Sequence, residues 1–166
     1  MTTPPALPAP AARADLVVPP TDEQSPVPQV GNSVPGLLLR PGREGDLPLV
    51  YHSWLHTLRE AEPWGDISRT AYFRGQHAVI ESLLSRSQLV VAALEDDQDQ
   101  ILGYAVAAPP VLHWVYVKSL FRHYGVARAL LEHLGIAAPV TYSHRTKWCR
   151  RLFPDGVYDP FKAWLP

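Results

Sequence analysis

Apolar residues recur along the chain at two spacings, and these spacings divide most of it into helices and strands. A repeat of three to four residues predicts three long helices, over 46–60, 68–85 and 126–134. Apolar runs rich in β-branched and aromatic residues predict strands over 37–41, 89–94, 101–107 and 112–117. The C-terminal part is predicted to hold a strand, a short helix and a last strand broken by Pro160, over 139–144, 145–153 and 158–164. The predicted order is β, α, α, β, β, β, α, β, α, β.

The first two helices each have one apolar stripe, which we expect to face the core. In the first helix the stripe consists of Leu47, Val50, Trp54, Leu55 and Leu58. In the second helix the inward residues are expected to be Phe73, Ile80, Leu83 and Leu84. The acidic run over 95–100 is expected to be a solvated hairpin tip, because the ligands of a metal site would normally come from several elements.

The first 36 residues have a different composition from the remainder. Nine of the 18 prolines fall there, at positions 4, 5, 8, 10, 19, 20, 26, 28 and 35. Proline removes backbone donors and favours extended conformations, so the composition predicts a disordered tail over 1–36 and a folded domain over 37–166. The tail could also be a docking segment for a proline-binding partner, although a solvated extension is the simpler interpretation.

Composition and charge restrict the class of protein. A chain of 166 residues with 46% hydrophobic content suggests one domain with a substantial core, and a net charge of −1 gives no general attraction to nucleic acid or membranes. The single cysteine, Cys149, excludes an intrachain disulfide and favours a reducing compartment. We find neither a secretion signal nor an apolar run of transmembrane length, so the sequence predicts a cytoplasmic protein.

The stretch over 112–134 carries the candidate chemistry, because a buried strand is followed by a loop and then by a helix. The loop reads Arg122-His-Tyr-Gly125-Val-Ala127. Gly125 has no Cβ and allows close approach of a ligand. The start of a helix presents unpaired N–H groups and a positive dipole end, which attract phosphate. The pattern therefore predicts a pyrophosphate cradle, although an ordinary strand-loop-helix connection would also use such a glycine.

The pattern Arg122-x-x-Gly125-x-Ala127 resembles the acetyl-CoA-binding segment of the GNAT acetyltransferases, whose motif is Gln/Arg-x-x-Gly-x-Gly/Ala. Leu39-Arg-Pro-x-x-x-x-Asp46-Leu-Pro also resembles the first strand and helix of many GNAT proteins, in the right order. The resemblance covers about 130 residues. It implies an α/β (α+β) acyl-CoA N-acyltransferase fold: a mixed central sheet flanked by helices, with a splay between strands four and five.

The resemblance also implies an activity: transfer of an acetyl group from acetyl-CoA, or another acyl-CoA, to a primary amine within a ternary complex. The pyrophosphate is expected on the loop Arg122, His123, Tyr124, Gly125, Val126, Ala127 and Arg128. An N–H near Val115, Tyr116 or Val117 is expected to polarise the acyl carbonyl. The acceptor could be a small-molecule or protein amine, and the protein a monomer or a homodimer. No metal is implied.

The catalytic acid is where the chain departs from the family, because Phe153 stands where many GNAT enzymes carry the tyrosine that protonates the thiolate. Tyr142 and Tyr158 are substitute candidates, although either could be a core tyrosine. His113 and His144 are candidate bases. His113 is expected to share a strand face with Val115 and Val117, and Cys149 to be a buried small hydrophobe.

A basic segment gives a second hypothesis. Eight Lys or Arg against three acids follow Val117, and the cluster includes Arg145, Lys147, Trp148, Arg150 and Arg151. Such a surface could bind nucleic acid, with Trp148 stacking on a base. Some phage-encoded GNAT-like proteins act on DNA bases, and the chain resembles that group in its divergent acid position. A third hypothesis is a catalytically silent CoA-binding or assembly protein, and this is supported by Phe153.

Overall fold

The computed structural model describes residues 34–61, 64, 66–146 and 148–164, and these form one six-stranded sheet whose strands lie in chain order. The strands are β1 Leu37–Pro41, β2 Gln88–Leu94, β3 Ile101–Ala108, β4 Val111–Val117, β5 Thr141–Tyr142 and β6 Val157–Tyr158. Neighbours from β1 to β4 are antiparallel, whereas β5 pairs in parallel with both β4 and β6. The sheet is therefore mixed, as predicted. The proline-rich segment 1–33 lies outside the described residues.

Helices cover both faces of the sheet and enclose two cores. They are α1 Leu47–Ala61, α2 Arg69–Arg86, α3 Val126–His133 and α4 Cys149–Leu152, with short 3-10 turns at Glu44–Asp46, Ser119–Phe121 and Pro160–Ala163. The core under α1 and α2 (the α1–α2 core) contains Trp54, Ile80 and Trp114. The core under α3 (the α3 core) contains Leu112 and Leu130. None of the helices in the described ranges is long and apolar enough to cross a membrane.

The first two helices begin within one residue of their predicted starts. Ser68 accepts a hydrogen bond from the Ala71 N–H at 3.2 Å and so caps α2. Four of the five residues expected on the inner stripe of α1 are buried, and Leu47 is half-buried. In α2, Tyr72 and Val79 are buried beside the expected Ile80 and Leu83, while Phe73 and Leu84 are partly buried. The predictions for this half of the chain are confirmed.

The C-terminal elements are shorter than predicted. The strand expected over 139–144 is reduced to Thr141–Tyr142, because pairing to β4 ends at the bond from the Ser143 N–H to the Leu112 carbonyl (3.1 Å). The helix expected over 145–153 contains only Cys149–Leu152, because the Thr146 hydroxyl accepts from the Trp148 N–H at 3.3 Å and competes with a helical turn there.

The last strand, expected over 158–164, was also predicted too long. Val157–Tyr158 is the whole of β6, and a 3-10 turn replaces the rest. Pro160 has no N–H to donate to a ladder, and the Asp159 carboxylate accepts from the Phe161 N–H at 3.0 Å. The side chain of Asp159 therefore favours a turn over continued strand.

The predicted placement of His113 on a face with Val115 and Val117 is wrong. The register between β3 and β4 shifts between Val106 and Ala107, so that His113 is an extra residue on β4. Such a bulge re-aims side chains on the bulged strand. Val115 and Val117 pack against the α3 core, whereas His113 meets Ser143, a neighbour of His144.

Candidate functional site

A gap opens between β4 and β5 beyond their first rungs. Only Val111 and Leu112 have partners on β5, and the Ser143 N–H is the last group in the described chain to continue that ladder. Beyond this point Val115 and Val117 have no partner on β5. The two strands therefore part along the C-terminal half of β4, as the resemblance implies.

The pairing of β4 with β3 determines which backbone groups face the gap. The Lys118 N–H donates to the Leu102 carbonyl at 2.9 Å, and bonded pairs alternate along an antiparallel ladder. Tyr116, two residues before Lys118, therefore directs its backbone groups to β3. Val115 and Val117 direct theirs into the gap. Of the three residues predicted to polarise a carbonyl, Tyr116 has no N–H free for this purpose.

The loop before α3 has two residues in the left-handed region of backbone space. His123 has φ 70° and Gly125 has φ 75°. Glycine adopts this conformation without strain, whereas for histidine it costs about 1–3 kcal/mol. Such strain is found at ligand-binding loops more often than elsewhere. Gly125 is the residue immediately before the first turn of α3.

Six consecutive amide N–H groups at this bend, from His123 to Arg128, donate to no acceptor in the described part of the chain. The first amide that is bonded is that of Ala129, which donates to the Gly125 carbonyl at 3.0 Å. The His123, Tyr124 and Gly125 residues are exposed. The bend thus offers a row of donors at the positive end of a helix, which suits a phosphate group.

The loop is held by its flanks. The Arg122 Nε donates to the Val117 carbonyl at 3.2 Å, which ties the loop to the end of β4 beside the gap. Val126 is 1% exposed and packs in the α3 core, so it contributes to the bend through its backbone. Ala127 is half-buried. Arg128 is exposed and pairs with Glu132 at 3.3 Å, a surface pair of little energetic weight.

A second cluster lies at the closed end of the gap. The His113 Nδ1 and the His144 Nδ1 each lie 2.9 Å from the Ser143 Oγ. Ser143 and His113 are both 3% exposed. The His144 ring lies edge-on to Trp54, with centroids 5.3 Å apart, and the Trp54 ring stacks on Trp114 at 5.1 Å. The two histidines predicted as bases therefore both contact the Ser143 hydroxyl, and the His144 ring packs beside two tryptophans.

Both histidines are neutral at physiological pH. Burial lowers the pKa of His113 to about 4, and the positive charge of Arg86 acts in the same direction. Burial also lowers the pKa of His144 to about 4, with a further contribution from His113, while the His113 carbonyl opposes the shift. Neutral imidazoles can accept a proton, but with a pKa of about 4 they cannot take one from a fully charged alkylammonium.

The two tyrosines predicted as acids lie away from this cluster. Tyr142 is 6% exposed and belongs to the α3 core, where its ring lies 6.0 Å from that of Phe153. Because successive residues of a strand point to opposite faces, Tyr142 and Ser143 lie on different sides of the sheet. Tyr158 is 39% exposed on the edge strand β6. Cys149 is buried in the α3 core.

The basic segment is exposed. Arg145, Arg150 and Arg151 are exposed, as is 44% of Trp148, and the Arg145 guanidinium lies 5.3 Å above the Tyr158 ring. Lys147, also predicted as part of this surface, lies outside the described residues.

Sequence reasoning missed Ser143 as a functional residue. Its contact with His113 spans 30 residues of sequence and depends on the β4 bulge and on the β4–β5 register. Neither feature has a sequence pattern that would reveal it. Only the adjacency of Ser143 and His144 could have drawn attention to this position.

Comparisons with known proteins give structural neighbours only. No protein-family model and no curated protein sequence matches the chain. It is similar in structure to YjaB from Escherichia coli (21% identity, TM-score 0.41, covering 59% of this chain and 63% of that one). It is also similar to a GCN5-related N-acetyltransferase from Rhodopseudomonas palustris (18%, 0.42, 59% and 62%). A third neighbour is a ribosomal-protein-alanine N-acetyltransferase from Brucella melitensis (23%, 0.41, 58% and 64%).

In each of these three comparisons the chain spans less than two thirds of the neighbour's length. At these identities and TM-scores the neighbours show nothing of what this chain binds. The sheet itself has antiparallel strands β1 to β4, a parallel β5 and a gap where β4 and β5 part. The chain therefore has the mixed α/β sheet and the gap between strands four and five that its resemblance to the GNAT family implies.

Proposed function

We propose that the protein is an acyl-CoA-dependent N-acyltransferase that transfers an acetyl group from acetyl-CoA directly to a primary amine in a ternary complex. The observation that carries this proposal is the row of six unpaired amides from His123 to Arg128, beside the gap between β4 and β5. A nucleotide diphosphate and an extended arm are the ligand parts that fit a row of donors next to an open strand edge.

The residues present fit such a donor substrate. The amides of the bend would hold its diphosphate, and the guanidinium of Arg122, whose Nε is bonded to the Val117 carbonyl, lies at the edge of the gap. The open backbone groups of Val115 and the N–H of Val117 would bind the arm as a neighbouring strand would. The thioester supplies an activated acyl group and a thiol leaving group. One of the two valine N–H groups would polarise the acyl carbonyl.

The amine has to be neutral to attack, and this chain holds two neutral imidazoles near the gap. His113 and His144 are positioned by Ser143 and are able to take up a proton as the new N–C bond forms. Phe153 carries no hydrogen that it could donate, and its ring packs in the α3 core. The proton for the leaving thiol therefore has to come from another group.

Titration calorimetry of the full chain with acetyl-CoA tests the donor site. Gly125→Glu places a carboxylate among the unpaired amides, about 5 Å from a bound phosphate. At an effective dielectric constant near 20 this repulsion is about 3 kcal/mol, or about a 100-fold loss of affinity. Gly135→Glu is the matched control, because Gly135 also has a positive φ (68°) at the other end of α3, with no atom within 4 Å of the added Cβ.

We expect the wild type and Gly135→Glu to bind acetyl-CoA with similar affinity, and Gly125→Glu to bind it at least 100-fold more weakly. Both variants place a glutamate at a positive φ and add one negative charge. They therefore differ in whether that charge lies at the bend before α3. Equal affinity of all three proteins would show that the diphosphate does not sit on this bend. No binding to the wild type would overturn the proposed function.

A second candidate function rests on Arg150 and Arg151, which are exposed and form no ion pair with any residue that the structure describes. Together with Trp148 they would suit a nucleic acid, in which case the protein could modify a DNA base. Affinity for a short DNA duplex that falls steeply with salt supports this function, and no affinity at low salt removes it. A thiol-release assay with a panel of amines distinguishes an active acyltransferase, which releases CoA thiol, from a catalytically silent CoA-binding protein, which does not.

A further inference from the structure

The Ser143 hydroxyl joins two imidazoles that have to be in different protonation patterns. Both Nδ1 atoms lie 2.9 Å from the same Oγ. A serine hydroxyl has one hydrogen, so it can donate to only one of the two nitrogens. The oxygen could accept from both rings, but the buried hydroxyl hydrogen would then have no acceptor in the described part of the chain, so the other Nδ1 carries a hydrogen and donates to the serine. Of the two neutral rings, one is therefore protonated at Nδ1 and the other at Nε2.

Ser143 and His113 are closed to solvent, and the cluster that they form with His144 lies at the closed end of the gap. Ser143 and His113 are 3% exposed. The backbone N–H of Ser143 forms the last bond of the β4–β5 ladder, to the Leu112 carbonyl at 3.1 Å. The Oγ is thus fixed where the two strands begin to part. His144, which is half-buried, is the more accessible end of the chain of three residues.

The other end of the cluster is an unpaired polar atom. The Nε2 of His113 is buried and has no hydrogen-bond partner in the described part of the chain. The Nε1 of Trp54, whose ring lies 5.3 Å from that of His144, is also without an acceptor there. A buried polar atom without a partner costs about 1–3 kcal/mol. A bound water or a substrate group would satisfy these atoms.

We propose that Ser143 relays a proton between the two imidazoles, so that a proton taken up at the Nε2 of His144 is matched by one released at the Nε2 of His113. The N–H bond at the His144 Nδ1 breaks as the Ser143 Oγ takes that hydrogen. The O–H bond of Ser143 breaks as the His113 Nδ1 takes its hydrogen. One proton enters, one leaves, and nothing is oxidised or reduced. The step exchanges the two tautomers, and the reverse transfer, with a proton lost from the His144 Nε2 to water and one taken up at the His113 Nε2, restores them before the next turnover.

This inference rests on the proposed function for its place in the reaction. The proton that enters is the one that the amine loses when it forms the amide. The proton that leaves goes to the thiolate of the acyl donor, which Phe153 cannot supply. Burial lowers the pKa of both rings to about 4, so neither imidazole retains the proton at neutral pH. Ser143 thus connects two weakly basic imidazoles, which together would protonate the thiolate in place of the tyrosine that Phe153 replaces.

Two variants of Ser143 test the relay, with readouts that do not all require turnover. Ser143→Ala removes the hydroxyl, and Ser143→Thr keeps it. Long-range proton–nitrogen NMR of histidine-labelled full-length protein reads the tautomer of each ring at pH 7, with assignments from His113→Gln and His144→Gln. Thermal unfolding checks that the variants are folded, and kcat and KM for acetyl-CoA are measured with the best amine of the panel.

In the wild type we expect one ring protonated at Nδ1 and the other at Nε2, and in Ser143→Ala we expect this pairing to be lost. We expect kcat to fall about 100-fold or more in Ser143→Ala with KM for acetyl-CoA unchanged, and Ser143→Thr to recover most of the loss. Identical tautomers in the two wild-type rings, or an unchanged kcat in Ser143→Ala, would overturn the relay. A wild type that binds no acetyl-CoA would overturn the proposed function instead, and the tautomers would still decide whether the linked cluster exists.

Discussion

Asp46→Asn tests whether the buried ion pair between β1 and the start of α1 contributes to the free energy of unfolding as its geometry indicates. The Arg40 guanidinium donates to both carboxylate oxygens of Asp46, at 2.7 and 2.9 Å, and the Arg43 N–H donates to the same carboxylate at 2.7 Å. The two charged side chains are only 6% and 7% exposed. Asparagine keeps one acceptor oxygen and places an N–H2 group where the second oxygen accepts.

Removing one member of a buried pair costs about 3–5 kcal/mol, because the other charge is left without its partner. We expect about 3 kcal/mol here, because the guanidinium still donates to the Gln98 carbonyl at 3.0 Å and the Pro41 carbonyl at 3.2 Å. With a urea m-value of about 2 kcal/mol/M, the unfolding midpoint at pH 7 should fall by about 1.5 M. Urea titration followed by circular dichroism measures this.

The matched control is Asp99→Asn, which makes the same chemical change at an exposed carboxylate whose charge also acts on Arg40. Its effect should stay below about 0.5 kcal/mol. The hydrogen bond from Arg40 and then the Arg43 N–H lower the pKa of Asp46, against the effect of burial. The stabilisation is therefore present above the ordinary carboxyl pKa and is lost as the pH falls through the lowered one.

The midpoints of wild type and Asp46→Asn should therefore converge as the pH falls below about 4. Equal midpoints at pH 7 would refute the reasoning, because a buried guanidinium without its counter-charge would then cost nothing. A loss in Asp99→Asn as large as that in Asp46→Asn would also refute it, since the effect would then be one of net charge.

Two further predictions concern packing and pH. Gly103→Ala should destabilise the sheet, because its Cβ would lie 2.5 Å from the Tyr116 carbonyl oxygen. Gly75→Ala on α2 should stabilise the protein by about 0.5–1 kcal/mol, because nothing lies within 4 Å of the added Cβ. Thermal unfolding that ranks the two variants in the opposite order would contradict this prediction. Burial lowers the pKa of both His113 and His144 to about 4. Between pH 6.5 and about 4 the unfolded chain therefore binds more protons than the folded chain, and the free energy of unfolding should fall as the pH drops through this range. NMR titration should find both rings neutral at pH 5, and a ring charged at that pH would contradict the prediction.

The sequence predicts the N-terminal two thirds of the fold closely because each element there has a complete local pattern. Strand β2 is apolar after Gln88, β3 has no charged residue, and α2 begins after a capping serine, Ser68. The glycine bend before α3 also follows from local sequence, because Gly125 lies directly between an apolar strand and a helical repeat.

The sequence predicts the C-terminal third less well because its elements depend on partners. A strand is predicted over the six residues 139–144, but only Thr141 and Tyr142 are paired, since β4 leads away from the others. The same parting creates the gap and brings Ser143 to His113 across 30 residues. A bulge that adds one residue to β4 decides which face His113 occupies, and no pattern of apolar positions encodes it.

A map of backbone amide shifts in the full-length protein as acetyl-CoA is added tests most directly whether the bend before α3 binds the donor. We expect the largest changes at the amides of residues 123–128, followed by Val115 and Val117 on the open edge of β4. Changes confined to the basic segment over 145–151, or no changes at saturating acetyl-CoA, would contradict it.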